Sequence, residues 1–217
     1  MVISPLLGLS IGFIIMGLLY FLLRNARPRL VNRFFGKAQI FSAASMGFMH
    51  GTNDAQKTMG IIALALLGAT TAGHFEHLPG WLSFLHTPSP PPGKDLEIAL
   101  WIKVVCALTM CAGTAAGGWR IIKTLGHKMV KLHPINGFAA ETSSATVIWL
   151  ATHLGIPVST THNISAAIMG VGAAKRLNAI KWSVVERMVW AWILTIPISA
   201  LIAYSAVRAM RLLGLGH

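Results

Sequence analysis

Three polar clusters in this apolar chain carry side chains that could bind small ions. His50-Gly51-Thr52-Asn53-Asp54 lies inside the apolar stretch 41–70. Pro157-Val158-Ser159-Thr160-Thr161-His162 separates two short apolar arms, 137–153 and 160–174. Glu141-Thr142-Ser143-Ser144 lies near the start of the first arm. A carboxylate at membrane depth is costly and marks a functional site by default. Hydroxyls at a helix N-terminus, with free backbone N–H groups, suit an oxyanion. Asp54, Glu141, Thr142 and Ser143 offer hard oxygens for Na⁺, or a protonatable site. Together they suit a small oxyanion carried with a cation, because an acid beside an anion needs a cation or a proton between them.

These clusters need a membrane scaffold. The 217 residues are 54% hydrophobic and 11% charged, with a mean hydropathy of +0.65. A soluble domain carries about 25% charged residues, so the composition predicts an integral membrane protein. The net charge of +12 does not indicate nucleic acid, because the basic residues sit between apolar spans and read as a topology signal. Cys106 and Cys111 fall in an apolar span, five residues apart, and suggest neither a disulfide nor a metal site.

The predicted spans are 2–23, 41–70, 98–118 and 188–207. The first is long enough to cross and lacks a basic leader, so it reads as a transmembrane helix rather than a signal peptide. Within 41–70 the glycines at 47, 51 and 60 predict a break, with Asn53 and Asp54 capping a second half-helix from Ala55. Lys57 could form a purely structural pair with Asp54, but that leaves His50, Thr52 and Asn53 unexplained. The arms are short for crossing about 30 Å. With Gly155 and Pro157 between them, 137–174 is predicted to be a re-entrant hairpin.

Lysine and arginine mark the sides. Segments 24–40, 119–134 and 175–187 hold thirteen of them, whereas the loop 71–97 holds only Lys94. The three basic segments are therefore expected in the cytoplasm and 71–97 outside. That loop carries His74, Glu76, His77, His86 and the proline-rich run Thr87–Gly93, without metal-ligand spacing; it reads as solvated.

The motifs also resemble a known family. His50-Gly51-Thr52-Asn53-Asp54-Ala55-Gln56-Lys57 is similar to the Asn-Asp signature of the inorganic phosphate transporter family. Pro157–His162 resembles that family's hairpin tip, and Gly137-Phe138-Ala139-Ala140-Glu141 its hairpin start. The resemblance implies phosphate symport with Na⁺ or H⁺, with no other cofactor, from two inverted repeats. It places Asn53, Asp54, Ser159, Thr160 and Thr161 at the phosphate–cation site. Only one Asn-Asp motif and one hairpin are present, so the chain resembles the C-terminal repeat alone, expected to work with a second, inverted half.

The expected fold is thus an all-α membrane protein: one domain over 1–217, with about four transmembrane helices, one of them broken, and a re-entrant hairpin. The expected setting is a bacterial inner membrane, with lipid, phosphate and a co-transported cation as partners. A non-transporting phosphate-binding subunit that regulates a partner is the alternative. An intramembrane phosphotransferase using His50 or His162 is less favoured, since no nucleotide-binding loop accompanies them.

Overall fold

A computed structural model describes residues 3–76, 78–91, 93, 96–123 and 132–212. Val2, His77, Pro92, Lys94, Lys128 and Lys131 lie outside the described residues. Six helices make the fold: α1 (Ile3–Leu23), α2 (Pro28–Thr71), α3 (Leu100–Lys123), α4 (Pro134–His153), α5 (Thr160–Lys175) and α6 (Trp182–Leu212). Short 3₁₀ turns occupy Gly80–Leu85 and Leu177–Ala179. No strand occurs among the described residues. Helices α1, α3 (over Leu100–Trp119) and α6 are long and apolar enough to cross a membrane.

The hairpin forms where its sequence dictates. Pro134 opens α4 at a position that needs no N–H, and the His133 N–H donates to Asn136 Oδ1 at 3.1 Å. Helix α4 ends at His153, and two residues on Gly155 takes a φ of 65° that L side chains rarely adopt. The Ile156 N–H returns to the Ala151 carbonyl at 2.9 Å and the Gly155 N–H to the Thr152 carbonyl at 3.2 Å. This closure satisfies the last carbonyls of α4. Ser159 then caps α5, its Oγ accepting from the His162 N–H at 3.4 Å.

The predicted break near Asn53 is absent: α2 is one helix of 44 residues, roughly 66 Å long. Pro28 is its only proline, so no i−4 hydrogen bond is lost beyond the first turn. Gly47, Gly51 and Gly60 keep φ negative. The Thr52 hydroxyl donates to the carbonyls of Phe48 and Met49 within the helix. Asn53 and Asp54 turn to α4 and α5 instead of capping. Helix α6 exceeds the predicted 188–207 at both ends and continues through Pro197.

The buried hairpin sits between α1 and α2. Ser42 pairs with Glu141 and Asn53 with Thr152, so α2 and α4 run parallel. Gly8 meets Asn163 and Gly12 meets Ala167, so α1 and α5 run parallel too. Helix α3 is antiparallel to α2, with Ile102 and Cys106 against Ala63. These directions bring the starts of α2 and α4 and the ends of α1, α3 and α5 to one end of the bundle, which groups the described residues of the three basic segments. Helix α6 joins through its first turns, Val184 and Val185 among them, and its remaining surface is exposed.

Small residues set the α1–α5 distance. Ser4, Gly8, Gly12 and Met16, four apart, are the buried residues of α1. A Cβ on Gly12 would lie 2.7 Å from the Ala167 carbonyl oxygen, and one on Gly170 would collide with the Leu9 carbonyl. Such stripes let helix backbones approach without a hydrophobic driving force. Gly12→Ala and Gly170→Ala should therefore each destabilise the folded chain by about 1–3 kcal/mol. Gly17→Ala, with nothing within 4 Å, should be neutral or slightly stabilising. Unfolding of the detergent-solubilised protein reads both; equal effects at 12 and 17 would refute the close packing.

Candidate functional site

Asp54 stands where α2 passes the hairpin tip. Its Oδ1 accepts from Lys57 Nζ at 2.9 Å, and its Oδ2 from the Thr160 hydroxyl at 2.9 Å. His50 Nδ1 lies 3.4 Å from Oδ2. Lys57 also donates to the Val158 carbonyl, the last backbone acceptor before the α5 cap. The α5 N-terminus presents orphan N–H groups and a positive dipole end. The structure thus collects an acid, an ammonium, an imidazole and a helix N-terminus at one point.

Asn53 points to α4. Its Nδ2 donates to Thr152 Oγ1 at 3.1 Å, and Thr152 donates to the Ile148 carbonyl at 2.9 Å. Asn53 Oδ1 is buried and has no partner among the described residues. Asn163, fully buried, donates to the Ser144 carbonyl and hydroxyl at 3.0 and 2.9 Å; its Oδ1 likewise lacks a partner. So does Ser4 Oγ, which the α1–α5 register places level with Ser159. Buried polar atoms are normally satisfied, and three orphaned oxygens are acceptors of the kind a hard cation takes. No group of three or more His, Cys, Asp or Glu residues suited to a metal occurs among the described residues.

The hydroxyl run is split by role. Thr160 is buried and committed to Asp54, Ser159 caps α5, and Thr161 is exposed. With α2 unbroken, the site has one helix N-terminus rather than the expected two.

The expected cation set does not converge. Glu141 Oε2 accepts from Ser42 Oγ at 2.6 Å. Ser42 precedes Asp54 by twelve residues, or roughly 18 Å along α2. The buried Ser143 hydroxyl donates to the Ala140 carbonyl at 2.9 Å. Thr142 instead lines an apolar groove between α2 and α4 with Phe41, Met49 and Phe138. Successive residues on a helix point about 100° apart, which is why adjacency in sequence did not make a site. Sequence reasoning missed Ser42 and Thr152: each is a lone hydroxyl that only the parallel α2–α4 register identifies as a partner.

Residues 24–203 match the model of the phosphate transporter family. A Bacillus subtilis protein named "Probable low-affinity inorganic phosphate transporter" is 38% identical over 92% of this chain and 54% of its own length. A Rhizobium meliloti protein of the same name is 39% identical over 93% and 54%. The chain spans about half the length of the curated relatives it matches. A solved structure described as "The sodium-dependent phosphate transporter" matches with a TM-score of 0.67 and 23% identity, over 96% of this chain and 56% of that one. At that identity the match shows a shared fold.

Stability measurements can test the geometry. Thr152→Val should destabilise by about 1–3 kcal/mol, because it leaves the Asn53 amide unpaired. A double-mutant cycle between Asp54→Asn and Thr160→Val should give a coupling of about 0.5 kcal/mol or more, whereas Asp54→Asn and Glu141→Gln should be additive. Strong coupling between the two acids would show that they share a site after all.

Proposed function

The chain belongs to the phosphate transporter family, and from that premise we propose that it forms one half of a cation-coupled inorganic phosphate symporter. The observation that carries the reading is Asp54 held against the N-terminus of α5. An oxyanion is drawn to that N-terminus and to the hydroxyls of Ser159 and Thr161. Asp54 would repel a phosphate there unless a cation or proton accompanied it, which couples the two. In this reading Asn53, Asp54, Ser159, Thr160 and Thr161 form the chain's share of the phosphate–cation site. Na⁺ or H⁺ is the coupling ion, and Glu141 is a separate contact nearer the basic end.

The hairpin is proposed to be re-entrant, within a multi-pass protein of a bacterial inner membrane. In support, α2 continues fourteen residues past Lys57, or roughly 21 Å beyond the tip. Helix α1 begins level with the same tip, so thiol labelling must separate the two depths. A cysteine replacing Gly155, in a background lacking Cys106 and Cys111, should be reached through a phosphate-sensitive path. Free labelling from outside, indifferent to phosphate, would indicate two full crossings.

Reconstitution tests the function. Liposomes carrying this chain alone should show no cation-driven uptake of radiolabelled phosphate, and adding a complementary half of opposite charge bias should restore it. In the assembled transporter, Asp54→Asn should lose driven accumulation more than phosphate binding. Ser159→Ala or Thr161→Ala should weaken binding by about 0.5–1.5 kcal/mol, more if charge-assisted. Unchanged cation dependence in Asp54→Asn would remove the coupling role. Phosphate binding without uptake, even with the second half present, would favour a regulatory subunit.

A further inference from the structure

The ammonium of Lys57 occupies a corner built from two hard oxygens. One is Asp54 Oδ1, 2.9 Å away, and the other is the Val158 carbonyl at the hairpin tip. A carboxylate and a backbone carbonyl facing one point form a donor set that a partly dehydrated monovalent cation would take. Here a side-chain cation fills it.

We propose that Lys57 is a tethered competitor for the coupling cation. Its ammonium holds the Asp54–Val158 corner until a monovalent cation displaces it. The inference rests on the reading of Asp54 as the coupling acid and adds the group that opposes the cation.

Three observations carry it. Lys57 bridges two elements: its acid is on its own helix, and its carbonyl is 101 residues away on the hairpin. A cation in the same corner would join the same two elements, which the Thr160–Asp54 hydrogen bond also links. The pair is also only part-buried, with Lys57 38% and Asp54 28% exposed. Ion pairs of that exposure are held weakly, so a competing cation has both access and a modest barrier to overcome. Finally, the exchange needs no backbone movement in α2. Lys57 sits one turn from Asp54 on an unbroken helix, and a flexible four-carbon stem can carry its charge away. The released ammonium stays within reach of the α5 N-terminus, where the phosphate is proposed to bind. Cation binding and delivery of a positive charge to the anion would then be one event.

Binding of radiolabelled Na⁺ to the purified chain in lipid nanodiscs tests this without phosphate and at one neutral pH. Lys57→Ala should bind Na⁺ about tenfold more tightly than the wild-type chain, a factor equivalent to one pairing interaction. Adding Asp54→Asn should abolish the gain. Lys57→Arg, which keeps a cation in the corner, should bind no more tightly than wild type. A merely structural lysine would give a loss on removal, not a gain. The proposal is overturned if Lys57→Ala binds no more tightly or if the gain survives Asp54→Asn. Should Lys57→Ala fail to fold, Na⁺ binding to Lys57→Met decides between the same two outcomes. Absence of phosphate uptake would sink the transporter reading and leave this assay intact, so the two failures are distinguishable.

Discussion

The contact of Asp54 with the start of α5 organises the molecule. It is the point where the longest helix meets the hairpin through charge rather than through packing. Thr160 and Lys57 hold the two carboxylate oxygens separately, and Lys57 also reaches the Val158 carbonyl. The carboxylate therefore fixes the position of a helix N-terminus. A charge in a membrane segment persists when it is paired or lines a wet cavity, and here it is both paired and part-exposed. Such an arrangement is stable enough to fold and open enough to exchange partners.

Around that point, the hairpin is held by two different kinds of contact. On the α1 side, backbones touch because Gly8, Gly12 and Gly170 remove the side chains between them. On the α2 side, spaced polar pairs set the register: Ser42 with Glu141 at one level and Asn53 with Thr152 at the next. Close-packed backbones have little freedom to shift, whereas hydrogen-bonded pairs can change partners. Any movement of the hairpin tip is thus expected against α2, with α1 and α5 moving as a unit.

The hairpin was legible in the sequence because its determinants are local. Gly155, Pro157 and Ser159 each act through their own backbone geometry or cap, and the structure places the turn where they predict. The unbroken α2 was not legible for the opposite reason. Asn53 and Asp54 are good caps in isolation, and the glycines around them permit a break. What overrides those preferences is tertiary: Thr152 and Thr160, about a hundred residues away, offer the two side chains better partners than their own helix. The stripe of Ser4, Gly8 and Gly12 acquires meaning only through the parallel register with α5. Glu141, Thr142 and Ser143 show the converse error, since neighbours in sequence point to three different surroundings on a helix.

Helix direction also bears on how a complete site can be assembled. The starts of α2 and α4 and the ends of α1, α3 and α5 share one end of the bundle, and the described residues of the basic segments flank that end. With thirteen lysines and arginines in the three basic segments against one in the loop 71–97, the charge bias should fix a single orientation in the membrane. Two copies inserted that way would be parallel and would present their α5 N-termini in the same sense. An inverted-repeat site requires oppositely directed halves around one substrate. In the proposed symporter the second half is thus a segment with the opposite bias, whether on the same polypeptide or another, rather than a second copy of this one.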